Sequence, residues 1–124
     1  MSKPIEEYIA MANKQVKVYA QIETQEGVNN LDEILSVNGV DGIFVGPNDL
    51  SCDMNCIGDN APIKEVLKTV GTVAKSCGKS WGIITTSKDL IGCSLDNDVD
   101  YISCGSEINM LRDYCQKIRR NIYG

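Results

Sequence analysis

The apolar positions of the chain fall into blocks whose spacing alternates between that of a helix and that of a strand. The first block predicts a helix over residues 4–13, because proline suits a first helical turn and the apolar side chains that follow recur at helical spacing. The β-rich run 16–22 predicts a strand. Thr24 then suits the N-cap of a second helix, whose apolar side comprises Val28, Leu31, Ile34 and Leu35.

The rest of the chain repeats this alternation. Gly39 ends the second helical region, and further strands are predicted over residues 40–46, 81–85 and 99–104. Further helices are predicted over residues 61–76, 87–95 and 106–122. The segment 47–60 is polar and contains glycine, so we expect it to be an irregular loop, the longest in the chain.

One helix followed by four strand–helix units predicts an α/β protein with a parallel sheet and right-handed crossovers. Such units build either a small doubly wound sheet or half of an eight-stranded barrel, and the pattern alone leaves both open. We expect a single partial domain over residues 1–124. In a half-barrel, each edge strand lacks a neighbour and the concave face is lined by Tyr19, Gln21, Glu23, Phe44 and Gly82.

Length and charge narrow the possible functions. A chain of 124 residues holds one domain but is too short for a complete (β/α)8 barrel. The net charge is −5 and the basic residues are scattered apart from Arg119 and Arg120, which argues against nucleic-acid binding. Neither a membrane span nor a signal peptide is recognisable, so we expect a cytoplasmic protein.

The six cysteines include no C-x-x-C pair, which disfavours a zinc ribbon and a disulfide scaffold. We expect Cys104 and Cys115 to be small buried hydrophobic residues. Histidine is absent, so the chemistry must use carboxylates or a base from elsewhere. The tripeptide 78–80 (GKS) follows a helix and lacks the glycine of a phosphate-binding loop five residues earlier, so it is interpreted as a helix-stop turn.

Two carboxylates stand where predicted strands end. Glu23 and Asp49 are 26 residues apart, about one strand–helix–strand unit, so parallel neighbouring strands bring both to the same rim of the sheet. Gln21 points to the same side of its strand as Glu23, and the tight backbone at 46–47 can present N–H groups to a substrate carboxylate. These features suit Mg²⁺ or Mn²⁺. The alternative is a small α/β interaction domain whose acids are merely solvated.

The sequence also resembles a known family, the metal-dependent 2-oxo-acid aldolases of the HpcH/HpaI type. The resemblance extends from Tyr8 to about Leu111. It is most specific in residues 18–27 (VYAQIETQEG), 30–51 (NLDEILSVNGVDGIFVGPNDLS) and 82–85 (GIIT).

The resemblance implies the C-terminal half of a (β/α)8 barrel of the phosphoenolpyruvate/pyruvate type. It implies that Glu23 and Asp49 hold a divalent cation (Mg²⁺, Mn²⁺ or Co²⁺) and that Ile84 shapes the aldehyde pocket. It places the pyruvate contacts at Gln21, Pro47, Asn48 and Asp49. The implied reaction is reversible aldol cleavage of a 4-hydroxy-2-oxo acid to pyruvate and an aldehyde, with the metal stabilising the pyruvate enolate.

The chain departs from the family pattern in several places. The base histidine and the oxyanion-stabilising arginine of the family come from the first half of the barrel, so no catalytic base is expected in this chain. Asn55 replaces a usual glycine and Glu107 a usual aspartate. The chain is therefore expected to join a missing N-terminal half or to form a homo-oligomer, or else to be an incomplete remnant that binds metal and 2-oxo acid.

Overall fold

The computed structural model describes residues 4–124, which form a four-stranded sheet and seven helices. The strands are β1 (Tyr19–Ile22), β2 (Gly42–Val45), β3 (Ser80–Ile84) and β4 (Tyr101–Ser103). The helices are α1 (Ile5–Gln15), α2 (Gln25–Asn29), α3 (Leu31–Ser36), α4 (Pro47–Asp53), α5 (Asn60–Ser76), α6 (Lys88–Leu95) and α7 (Glu107–Tyr123).

The sheet has the order β1-β2-β3-β4 with every neighbouring pair parallel, which confirms the predicted βα architecture. Its register aligns Gln21 with Phe44, Phe44 with Gly82, and Gly82 with Tyr101. Strand order therefore follows chain order, as it does around half of a (β/α)8 barrel. The carboxyl ends of all four strands lie at one rim, and the loops of that rim are the ones that carry the candidate chemistry.

One face of the sheet carries the hydrophobic core. Ile22, Ile43, Val45, Trp81 and Ile83 alternate along the strands with residues of the opposite face, and all five are at most 2% exposed. Helices α3, α5 and α6 cover them, and the helical side of the core comprises Leu31, Leu35, Ile63, Val66, Leu67, Val70, Ala74 and Leu90. Because only this face of the sheet is buried against helices, it fixes the position of the strands and therefore of the loops at their carboxyl ends.

The opposite face carries an aromatic cluster and the residues predicted to line the concave side. The Tyr101 ring stacks on Phe44 at 5.7 Å between centroids and meets Tyr19 edge-on at 5.1 Å. Its hydroxyl donates to the carbonyl of Ile43 at 3.3 Å. Burial, and then the nearby Tyr19 and Asp100, raise the pKa of Tyr101 to about 12, so at neutral pH the hydroxyl remains a donor.

Gly42 on β2 is required by close packing on this face. A Cβ at this position would lie 2.1 Å from the carbonyl oxygen of Ser80 and 2.6 Å from the Tyr19 ring. Because the first neighbour is backbone, we expect Gly42→Ala to lower the free energy of unfolding in urea by about 3 kcal/mol. The matched control is Gly92→Ala in α6, where a Cβ would meet nothing within 4 Å. This control is expected to stabilise by up to about 1 kcal/mol, and equal stability of the two variants would contradict the packing argument.

The structure corrects several predicted boundaries. Residues 16–18 precede the strand, because the Val18 N–H donates to the Asp41 carboxylate at 2.8 Å and the ladder with β2 begins only at Tyr19. The predicted second helix is two helices, α2 and α3, separated at Asn30, whose ψ of 19° breaks the regular turn. Helix α1 runs to Gln15, two residues beyond its predicted end.

The prediction of an irregular loop over residues 47–60 was wrong in its first half, whereas residues 54–59 are turns and loop. Its first half is α4, which begins with Pro47 at its first turn and is held to the core by buried Leu50. A helix this short presents only one apolar side chain per turn, so its polar sequence carried no helical periodicity.

Cys104 and Cys115 are exposed, which contradicts their predicted burial. Cys104 follows the last residue of β4, and Cys115 lies on α7, a helix with no buried residue. The amphipathic pattern of α7 is real, but nothing within residues 4–124 covers its apolar side, where Ile108, Leu111 and Ile122 are each more than 60% exposed.

Other local predictions were confirmed. The Thr24 hydroxyl caps α2 by accepting from the Gly27 N–H at 3.0 Å, and the helix predicted over residues 87–95 is α6, which begins one residue later, at Lys88. The GKS tripeptide is a helix-stop turn: Gly78 has φ +63° and Ser80 opens β3. Within residues 4–124, no helix is long and apolar enough to cross a membrane.

Candidate metal and substrate site

The segments that carry Glu23 and Asp49 leave the sheet side by side. Ile22 and Val45 are paired at the ends of β1 and β2, and the Gly46 N–H donates to the Ile22 carbonyl at 2.9 Å. The two carboxylates therefore follow neighbouring parallel strands at the same rim, as the sequence predicted.

Glu23 is held against the start of α4. The Gln21 side-chain amide donates to Glu23 Oε2 at 2.8 Å, so the predicted same-side pair does form. Gly46 makes room for it, because a Cβ there would lie 3.2 Å from Gln21 Nε2 and 3.4 Å from the Glu23 Cβ. The Glu23 carboxylate thus lies beside the residue that caps α4.

Asp49 lies in the first turn of α4 and is exposed. The next residue, Leu50, is fully buried, and its N–H donates to the Gly46 carbonyl as the first bond of the helix. Helix geometry leaves the earlier N–H groups of Asn48 and Asp49 without intrahelical acceptors. This turn therefore presents a carboxylate and backbone donors together, next to the Glu23 loop.

The donor chemistry fits a hard divalent cation. Neither Glu23 nor Asp49 forms an ion pair with a residue in 4–124. No group of three or more His, Cys, Asp or Glu side chains that could hold a metal ion converges within the same residues. Mg²⁺ and Mn²⁺ are commonly bound by one or two carboxylates, with water and substrate oxygens completing the coordination.

Three of the five predicted substrate residues line a cavity of about 460 Å³. Pro47, Asn48 and Ile84 belong to its wall, together with Ser51, Thr86, Ser106 and Asn109. Gln21, Glu23 and Asp49 do not line it. The predicted site therefore has two adjacent parts joined by α4, one with carboxylates and one with hydroxyl and amide groups beside apolar side chains. The second part suits a small polar organic molecule.

One contact of this region, made by Asp53, was missed from the sequence. The Asp53 carboxylate at the end of α4 accepts from the Gln25 N–H at 2.7 Å, which links α4 to the Glu23 loop. No sequence signal predicted this contact, because it depends on how α4 packs relative to the loop after β1. Asn55, which by the resemblance stands where the family usually has glycine, has φ +53°, a left-handed conformation that asparagine tolerates.

Comparisons with known proteins agree with this architecture. The family model described as HpcH/HpaI aldolase/citrate lyase matches residues 1–112. The chain is 37% identical over 109 residues to a hydroxypyruvate/pyruvate aldolase of Roseovarius nubinhibens, covering 86% of this chain and 42% of that protein. It is 37% identical over 117 residues to a 5-keto-4-deoxy-D-glucarate aldolase of Citrobacter koseri, covering 92% and 45%.

Solved structures of the same family are also similar to this chain. The crystal structure of an HpcH/HpaI aldolase from Desulfitobacterium hafniense overlays with a TM-score of 0.84 at 26% identity, covering 98% of this chain and 48% of that one. The chain thus spans slightly less than half the length of each of these relatives.

Proposed function

Because the chain belongs to the HpcH/HpaI aldolase/citrate lyase family, we propose that it carries the metal- and pyruvate-binding part of a class II aldolase. The reaction is the reversible cleavage of a 4-hydroxy-2-oxo acid to pyruvate and an aldehyde. The observation that carries the proposal is that Glu23 and Asp49 follow the ends of neighbouring parallel strands, with Glu23 beside the residue that caps α4.

Each residue at the rim has a role in this proposal. Glu23 and Asp49 would hold the divalent cation (Mg²⁺, Mn²⁺ or Co²⁺), and Gln21 orients Glu23 through its amide. A bound cation supplies Lewis-acid stabilisation of negative charge on the 2-oxo acid.

Different groups of the substrate would bind in the two parts of the site. The first-turn N–H groups of α4 and the Asn48 side chain would bind the carboxylate of the 2-oxo acid. Pro47 would contribute to the pyruvate contacts, and Ile84, which lines the same cavity, would shape the space for the aldehyde.

The chain offers no histidine to move protons at this site. Several of its other carboxylates are engaged with lysines: Asp41 with Lys17, and Asp98 with Lys75. These ion pairs lower the pKa of both aspartates, so neither is suited to act as a base of raised pKa. We therefore propose that base and arginine come from a first half-barrel, which would also cover the aromatic face and the free edges of β1 and β4.

A metal-binding remnant without turnover is the second candidate, favoured by the lack of histidine. Both candidates predict cooperative binding of cation and 2-oxo acid, because the oxygen atoms of pyruvate complete the coordination. Titration with Mn²⁺ should therefore give a dissociation constant that pyruvate lowers by about 5-fold or more, the lower end of typical coupling between two ligands.

The matched control ligand is lactate, which keeps the carboxylate but lacks the keto oxygen and should have a smaller effect. Absence of Mn²⁺ binding with and without pyruvate would overturn the proposal and favour an interaction domain with solvated acids. Turnover, tested separately below, distinguishes the aldolase from the remnant.

A further inference from the structure

Asp53 connects two segments that are distant in sequence. Its Oδ2 accepts from the backbone N–H of Gln25 at 2.7 Å, across 28 positions of the chain. Asp53 is the last residue of α4, and Gln25 is the first residue of α2, two positions after Glu23. A short hydrogen bond to a carboxylate is charge-assisted and stronger than a neutral one.

The position of Asp53 on α4 determines which face of the helix this contact reaches. Residues four apart lie on the same side of a helix, so Asp49 and Asp53 share one face of α4. The bond to Gln25 therefore draws the loop after β1 towards the face that carries Asp49. Upstream, the Gly46–Ile22 backbone bond already joins the strand ends. Glu23 lies between these two links.

The Gln25 contact is separate from the local cap of α2. Thr24 accepts from the Gly27 N–H, whereas Asp53 accepts from the N–H two residues earlier in the same turn. Without Asp53, the helix keeps its Thr24 cap, but the Gln25 N–H turns to water and the loop loses its link to α4.

We propose that Asp53 is a positioning residue that fixes the Glu23 loop to α4 and so sets the spacing of the Glu23 and Asp49 carboxylates. This inference rests on the proposed cation site. Asp53 itself is exposed, so its removal should change metal affinity far more than overall stability.

The experiment measures Mn²⁺ dissociation constants of the full 124-residue chain by electron paramagnetic resonance, in 0.5 M salt to screen distant charges. We expect Asp53→Ala to weaken Mn²⁺ binding about 10-fold, the low end for an outer residue of a metal site. Asp53→Asn has the same charge as the alanine variant but keeps an acceptor oxygen, so it should lose less. Asp59→Ala is the matched control, since Asp59 caps α5 in the same way through the Ala61 N–H without touching the Glu23 loop.

A second readout needs no metal. Amide hydrogen exchange of Gln25 should accelerate in Asp53→Ala and stay unchanged in Asp59→Ala. Intact Mn²⁺ affinity in Asp53→Ala, or equal loss in Asp59→Ala, would overturn the positioning role while the proposed cation site stands. If the wild-type chain binds no Mn²⁺, the proposed function and the positioning role are both refuted. Faster exchange of the Gln25 amide in Asp53→Ala would then show that the contact has a structural role only.

Discussion

Replacing Glu23 by glutamine or Asp49 by asparagine is expected to weaken Mn²⁺ binding by roughly 100-fold or more, because each change removes one of the two anionic ligands of the proposed site. Both replacements preserve side-chain shape. The Glu23→Gln variant also keeps an oxygen for the Gln21 amide. Binding is measured by electron paramagnetic resonance of free Mn²⁺, with and without pyruvate.

The controls for this prediction are Glu26→Gln and Asp32→Asn. Each removes one exposed carboxylate from the first turn of a neighbouring helix, α2 or α3, and so changes the net charge equally. They should leave the dissociation constant within about 2-fold of wild type, because exposed charges at a distance are screened. An equal loss of Mn²⁺ affinity in all four variants would show that the overall negative charge of the chain attracts the cation, and it would contradict a two-carboxylate site.

The 124-residue chain alone is expected to have negligible aldolase turnover, even with metal and substrate present. General acid–base help is worth about 10²- to 10⁴-fold, and the chain has no histidine to supply it. Slow exchange of the pyruvate methyl protons should survive, since Lewis-acid activation needs no residue of another half. Pyruvate release from a 4-hydroxy-2-oxo acid and proton exchange by NMR measure the two quantities.

Addition of a separately produced first half-barrel from a related aldolase should restore turnover. The same addition to Glu23→Gln should not, which makes this variant the control for contaminating activity. Turnover of the isolated chain in the usual enzyme range of roughly 1–10³ s⁻¹ would refute the assignment of the base to another half. Failure of rescue together with intact Mn²⁺ and pyruvate binding would favour the binding remnant.

The elements that could be predicted are those whose signals are local. The Thr24 cap, the stop at Gly78 and the apolar period of α5 depend on neighbours within one or two turns, so sequence spacing carries them. Helix α4 was missed because its polar residues show no such period. Its stability comes from a tertiary contact, the burial of Leu50 in the core.

The same division applies to the candidate site. The residue types of the carboxylates and their placement after strands were visible in the sequence, since parallel strands have their ends at one rim. The shared side of Gln21 and Glu23 was also predicted, because residues two apart in an extended chain share a face, and the structure adds the hydrogen bond between them. The Asp53 contact with Gln25 was not, because it depends on how α4 packs relative to the loop after β1.

The sequence by itself therefore determined the alternation of strands and helices, the parallel sheet and the types of ligand available at its rim. Only the tertiary structure decided which side chains meet there: Glu23 beside Gly46, Asp53 on Gln25, and Asn48 with Ile84 in one cavity. It also decided that Cys104 and Cys115 are exposed, because burial depends on what covers a face and not on the pattern within it. Local periodicity is a property of a few consecutive residues, whereas a site is made by segments that folding brings together from distant parts of the chain.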